Sequence, residues 1–163
     1  IGDNSDSASV QVTSEANLRM SFSGPGATVR AGVAVPVFAR LDNNGANAAS
    51  NPVVNLNIGV PPYAASLTAP AGWSCISNAT RSISIIIATA SFQCTTLSGW
   101  LPRSSVLFPL VITAAASSAG GFVMVDGSAT SNTSDPVPIN NSASFKLNVR
   151  AAGNIGPVLP PIN

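Results

Sequence analysis

The chain has 163 residues, 45% of them hydrophobic and 8% charged, with a formal net charge of +1. That length fits one domain with a real core. A charged share about a third of the usual leaves Ser, Thr and Asn to form the polar surface, which suits a secreted protein that stays in place and argues against a cytosolic enzyme that relies on charge for solubility.

The chain opens at Ile1 with the polar run Ile1-Gly2-Asp3-Asn4, which reads as a mature chain after processing or a piece of something longer. Ser7 to Val12, "SASVQV", alternates polar and apolar residues. The same pattern returns at Ser142 to Leu147. Leu18, Met20 and Phe22 then alternate with Asn17, Arg19 and Ser21. Val33, Val35, Val37, Ala39 and Leu41 form one face of a longer strand that ends at the turn signal Asn43-Asn44-Gly45. Val54, Leu56 and Ile58 follow with the same period. A loop rich in Pro and Ala, residues 61–72, leads to Trp73 and Cys75.

Ile83 to Cys94 reads as one long strand, followed by Val106 to Ala114, Phe122 to Thr130 and Ala143 to Val149. The uncharged run Val106 to Val125 has the length of a membrane span. It contains Pro109 and the pair Gly120-Gly121, so two strands joined by a Gly-rich turn explain it better. Short strands punctuated by Gly, Pro and Asn, with no helical period, predict an all-β fold: a two-sheet β-sandwich with an extended N-terminal strand and a Pro-rich tail. The organisation expected is an extension at residues 1–15, a sandwich at 16–150 and a tail at 151–163. The segments Ile83 to Ile87 and Leu107 to Ile112 are apolar on both faces, and Phe38 lies opposite the Val35/Val37 face. Either a covering loop or scattered surface residues explain this, or a second burial against another subunit does.

Five stretches in order carry a resemblance. They are "ANLRMSFSGPGATVRAG", "ARLDNNGANAASNPVVNLNIGVP", "APAGWSC", "FQCTTLSGWLPRSSVLFPLVITA" and "SATSNTSDPVPINNSASFKLNV". Together they resemble the DUF11 repeat family, immunoglobulin-like modules of prokaryotic surface proteins, from about Ala16 to Val149. The ending Asp135-Pro-Val-Pro-Ile-Asn-Asn is its most specific piece. The resemblance implies stacking, surface display and a cell-wall or matrix role without catalysis. The chain departs from the family in its few acidic residues, its apolar middle and its Pro-rich tail "GNIGPVLPPIN". In the ending, the prolines hold the approach extended and withhold amide donors. Asn140 and Asn141 tolerate positive φ, which suits a corner before the last strand.

The chain has no His, which removes the commonest general base. The seven cationic residues are scattered, so neither nucleic acid nor anionic membrane is an expected partner. Asp42, Asp126 and Asp135 form no evident acid–base pair. Asp135 beside the asparagines offers a hard cation one carboxylate where such sites want more, so neither metal nor cofactor is expected. Cys75 and Cys94 lie too far apart for a zinc motif. In a secreted domain they read as a disulfide, with two buried thiols as the alternative. Trp73 shares the face of Cys75, placed to cover such a bridge. Trp73 and Trp100 read as core, with sugar stacking as the other use. Lys146, the only lysine, alternates away from Phe145 and Leu147 toward solvent. Asn78, Asn132 and Asn140 each begin an Asn-x-Ser/Thr sequon, an acceptor only in a host that glycosylates.

These features lead to one expectation: a non-enzymatic extracellular subunit at the cell surface that polymerises with itself. Ala8, Val10 and Val12 would fill a groove in a neighbouring copy, unless that strand pairs within its own sheet. A stalk or ligand-binding module of a larger adhesin is the alternative.

Overall fold

A computed structural model describes residues 14–59, 63–81 and 88–152. Among these residues there are ten strands: β1 Leu18–Ser23, β2 Thr28–Arg30, β3 Ala34–Asn43, β4 Val53–Gly59, β5 Tyr63–Leu67, β6 Ser74–Arg81, β7 Ala88–Thr95, β8 Ser104–Ala114, β9 Phe122–Thr130 and β10 Ser142–Arg150. Two 3-10 turns, Ala116–Ser118 and Pro138–Asn141, are the helical pieces among the described residues.

The strands form two sheets, ordered β1-β3-β8-β5 and β2-β10-β9-β4-β7-β6. Every pairing between strands is antiparallel except that of β2 with β10. The chain therefore changes sheets between β1 and β2. Gly24 to Ala27 carries it across, and Gly26 has φ 110°, a conformation that favours glycine.

Alternation builds the core. Leu18 and Met20 of β1, Val37, Ala39 and Leu41 of β3, and Phe108, Leu110 and Ile112 of β8 point inward from one sheet. Val54, Leu56 and Ile58 of β4, Val123 and Val125 of β9, and Leu147 and Val149 of β10 meet them from the other. Gly127 takes an inward position on β9. A Cβ there would lie 2.8 Å from the Phe22 ring and 3.0 Å from Met20 Cε, so the missing side chain makes room for these two.

The structure corrects several expectations. The Pro- and Ala-rich stretch is not all loop, since β5 forms within it and pairs with β8. Its central residues Ala64, Ala65 and Ser66 are small and the strand is half-exposed at a sheet edge, so it gives no apolar run to read. Cys75 lies on a strand of its own, β6, paired with β7. The expected strand Ile83 to Cys94 is described only from Ala88, as β7, and residues 82–87 lie outside the described residues. Val33 is half-exposed, because it precedes β3 rather than continuing its core face. The run Val106 to Val125 does contain two strands, β8 and β9, but they belong to different sheets. The corner before β10 is the 3-10 turn; Asn51 and Arg103 are the non-glycine residues with positive φ, and Asn140 and Asn141 have none. Ala8, Val10 and Val12, and the tail from residue 153, lie outside the described residues.

Candidate functional site

The described chain enters and leaves at opposite poles. At the entry pole, Ala16 N donates to Ser134 O at 3.0 Å and Glu15 bridges Ser134 in parallel. At the exit pole, Ala31 N donates to Arg150 O at 2.9 Å and Gly120 N donates to Val149 O at 2.8 Å. The 10-residue β3 runs from the exit pole to the entry pole, a span of about 33 Å.

The entry pole is organised around Asn43, a fully buried polar residue at the end of β3. Its Oδ1 accepts from Asn17 N and Gly45 N, and its Nδ2 donates to the carbonyls of Asn47, Trp100 and Leu101. One amide thus ties β1, the turn after β3 and the approach to β8 together. Gly45 packs so closely that a Cβ would lie 2.6 Å from Asn17 N. The sequence signals only a turn here, because the partners of Asn43 lie on segments far apart along the chain.

Asp135 forms a second tie. Its Oδ2 accepts from Leu18 N at 2.8 Å and its Oδ1 from Val137 N at 2.8 Å. Asn140 Nδ2 donates to Asn17 Oδ1 at 2.9 Å. The Asp-Pro-Val-Pro-Ile-Asn-Asn segment therefore clasps β1 before β10 begins. Both Asp135 oxygens are occupied by backbone amides. Among the described residues no three His, Cys, Asp or Glu side chains gather as metal ligands would.

Cys75 and Cys94 form a disulfide. They face each other directly on β6 and β7, so the bridge lies within one sheet. Trp73 is buried, and its ring contacts those of Trp100 at 5.7 Å and Phe108 at 5.0 Å, both edge-on. Trp73 thus packs between the sheets, against the rings of Trp100 and Phe108. A shallow groove of about 570 Å³ is lined by Trp73 itself with Gly72, Ser74 and the loop Thr95 to Ser98. Trp73 is 8% exposed and Trp100 half-buried, so packing takes up most of both indoles.

The candidate carboxylates are tied up structurally. Asp42 pairs with Arg40 at 2.7 Å, and Asp126 accepts from Ser144 Oγ. Tyr63 reaches from edge strand β5 to the opposite sheet. Its hydroxyl donates to Ile58 O and accepts from Ala90 N. Burial raises its pKa above 10.0, and the Ala90 hydrogen bond offsets this in part. Lys146 faces solvent, with its ammonium 4.4 Å from the Phe122 ring centre. Of the sequons, Asn78 and Asn132 are exposed, whereas Asn140 is half-buried with its amide nitrogen bonded to Asn17.

The two sheets present unlike outer faces. The outward positions of the six-stranded sheet are mostly polar, including Asn55, Asn57, Gln93, Asp126, Ser144 and Lys146. The four-stranded sheet turns out Pro36, Phe38, Leu107, Pro109 and Val111, adjacent in register, with Arg19, Arg40 and Asp42 on the same face toward one end. Leu107 is 49% exposed and Val111 44%, while Phe38 and Pro109 are half-buried. The poles carry further exposed apolar side chains: Leu97, Leu101 and Ile139 at the entry pole, Val33 and Phe122 at the exit pole.

No family model matches the chain, and no curated protein does. Solved structures match its fold. The CARDB domain of a Pyrococcus furiosus protein, solved in complex with di-metal ions, aligns over 90% of this chain and 99% of that one, with a TM-score of 0.56 and 12% identity. A cohesin module from a Clostridium perfringens family 33 glycoside hydrolase aligns over 86% of this chain and all of that one, with a TM-score of 0.54 and 14% identity. A Nocardia farcinica protein described as having an immunoglobulin-like fold aligns over 79% of this chain and 97% of that one at 16% identity, with a TM-score of 0.48. The topology, with the likenesses at TM-scores of 0.56 and 0.54, defines a two-sheet β-sandwich domain. It carries a disulfide, and among its described residues no helix is long and apolar enough to cross a membrane.

Proposed function

We propose that this chain is a DUF11-type, non-enzymatic extracellular subunit that assembles with copies of itself into a surface fibre, sheath or layer. The observation that carries the reading is the placement of the two described ends at opposite poles. A unit entered at one end and left at the other joins end to end, and a head-to-tail contact that does not close on itself grows into a filament. Exposed Leu97, Leu101 and Ile139 at one pole and Val33 and Phe122 at the other give such a contact apolar surface.

The segment with Ala8, Val10 and Val12 precedes the entry pole in sequence. An acceptor edge exists on β10. β2 pairs only with Asn148 to Arg150, which leaves Ser142 to Leu147 without a strand on that side among the described residues. Strand addition there supplies backbone hydrogen bonds, and alternate side chains supply specificity. The disulfide supports an oxidising, extracellular setting. The structural engagement of Asp42, Asp126 and Asp135 supports the absence of catalysis.

Deleting residues 1–12 tests the reading. The truncated chain is expected to fold as a monomer and to bind a peptide of residues 1–14. Assembly identical to that of the full chain would rule out strand exchange. A second reading, a stalk or ligand-binding module of a larger adhesin, is favoured by the two neighbours named as single modules of larger proteins. It predicts a monomer with or without the deletion.

A further inference from the structure

We infer that the paired arginines Arg30 and Arg150 at the exit pole bind the acidic entry segment of a second copy, residues 1–15, through Asp3, Asp6 and Glu15. This rests on the self-assembly reading above and names the charges that join the ends. β2 and β10 run parallel and place Arg30 and Arg150 side by side as register partners, about 4.8 Å apart. Val29 and Val149 before them are buried, so both arginines turn outward, and both are exposed. Like charges directly opposite on neighbouring strands repel. Arg40 with Asp42 is the ion pair among the described residues, and neither Arg30 nor Arg150 has an acidic partner there. A carboxylate placed between two guanidinium groups relieves the repulsion and accepts from both.

Charge along the chain chooses the occupant. Residues 1–15 hold Asp3, Asp6 and Glu15, three of the six acidic residues, and no basic one. Asp42, Asp126 and Asp135, the other three, are bonded to Arg40, to Ser144 and to the amides of Leu18 and Val137. Glu15 is partly exposed and makes no ion pair among the described residues. Position agrees with charge. Glu15 bridges Ser134, shortly before the turn that leads into β10, whereas Arg150 ends β10. Acid and base thus lie at opposite ends of one long edge, about 30 Å apart for a strand of 9 residues. That is about three Debye lengths at about 0.1 M salt, so Glu15 and Arg150 of one chain do not attract each other. A second copy shifted along the strand axis sets its Glu15, and the acidic segment before it, on Arg30 and Arg150. Such a contact joins unlike surfaces and stays open at both ends.

The experiment is sedimentation velocity of the full chain over a concentration series at low and high salt, beside Arg30→Glu/Arg150→Glu and Glu15→Arg. The inference expects the unsubstituted chain to associate, and less so in high salt. At low salt the arginine variant associates at least about tenfold more weakly and the Glu15 variant about threefold more weakly. An equal mixture of the two variants associates again, because one keeps the entry pole and the other the exit pole. If the arginine variant associates as the unsubstituted chain does, the inference is overturned while the self-assembly reading survives. If the arginine variant is weakened but Glu15→Arg is not, the arginines hold another anion, the same chain's Asp3 and Asp6 included, and the inference is again overturned. If the unsubstituted chain is monomeric throughout, both readings fall. Should the arginine variant not fold, Arg30→Gln/Arg150→Gln takes its place and must weaken association about threefold; unchanged association overturns the inference.

Discussion

Asn43 and Tyr63 show how single polar groups hold a sandwich with little charge to spare. The Asn43 amide satisfies two backbone amides and three carbonyls at a fully buried position. Asn43→Ala leaves these groups without a partner and is expected to cost about 3 kcal/mol in urea unfolding, at the upper end for stranded buried polar groups. Asn43→Asp keeps the acceptor but removes the donor, so it should not rescue. Tyr63 is the only tyrosine, so absorbance of ionised phenol reads one group. In the folded protein its midpoint should lie above 10.0, because burial disfavours the phenolate. Its contribution to stability is intact below the unfolded phenol pKa near 10 and is lost as pH rises through the folded value. Tyr63→Phe should flatten that alkaline decline and cost about 1 kcal/mol at neutral pH. Neither role is visible in sequence. An Asn before Asn-Gly reads as a turn, and a Tyr in a Pro- and Ala-rich stretch reads as loop, because the partners of each lie far away along the chain.

Whole strands were legible where one face is buried and the other wet. β1, β3, β4, β9 and β10 follow period two because their inward residues fill the core. β5 has no fully buried residue, so burial writes less pattern into it than into β1, although both are sheet edges. The cysteine pairing could be read in advance but its setting could not, since that required knowing that β6 and β7 are adjacent. Intact mass after alkylation without reductant should show no free thiol. Replacing both cysteines by alanine should lower stability by about 3 kcal/mol, as expected for opening a loop of this length. The Asp135 clasp was legible as a motif, whereas its target, the first amide of β1, was not. Asp135→Asn weakens two charge-assisted bonds to Leu18 N and Val137 N. It should destabilise by about 1–2 kcal/mol, measured by urea titration.

At the scale of the molecule, the composition, the fold and the surface lead the same way. Few charges, a sandwich entered and left at opposite poles, and two outer faces of unlike polarity are the features on which the proposed building-unit role rests. The apolar character of Leu107 to Ile112 on both faces was readable from sequence. The choice between a covering loop and a bare face was not, and among the described residues no strand or loop covers Leu107 and Val111. Asp42→Asn, Asp126→Asn and Asp135→Asn should alter stability or assembly and abolish no turnover. The central claim, self-assembly of an extracellular structural subunit, is tested most directly by negative-stain microscopy of the purified full chain under non-reducing conditions across a concentration series. The account predicts linear or layered polymers that disappear when residues 1–12 are removed. Dispersed single domains at every concentration, with or without those residues, would contradict it.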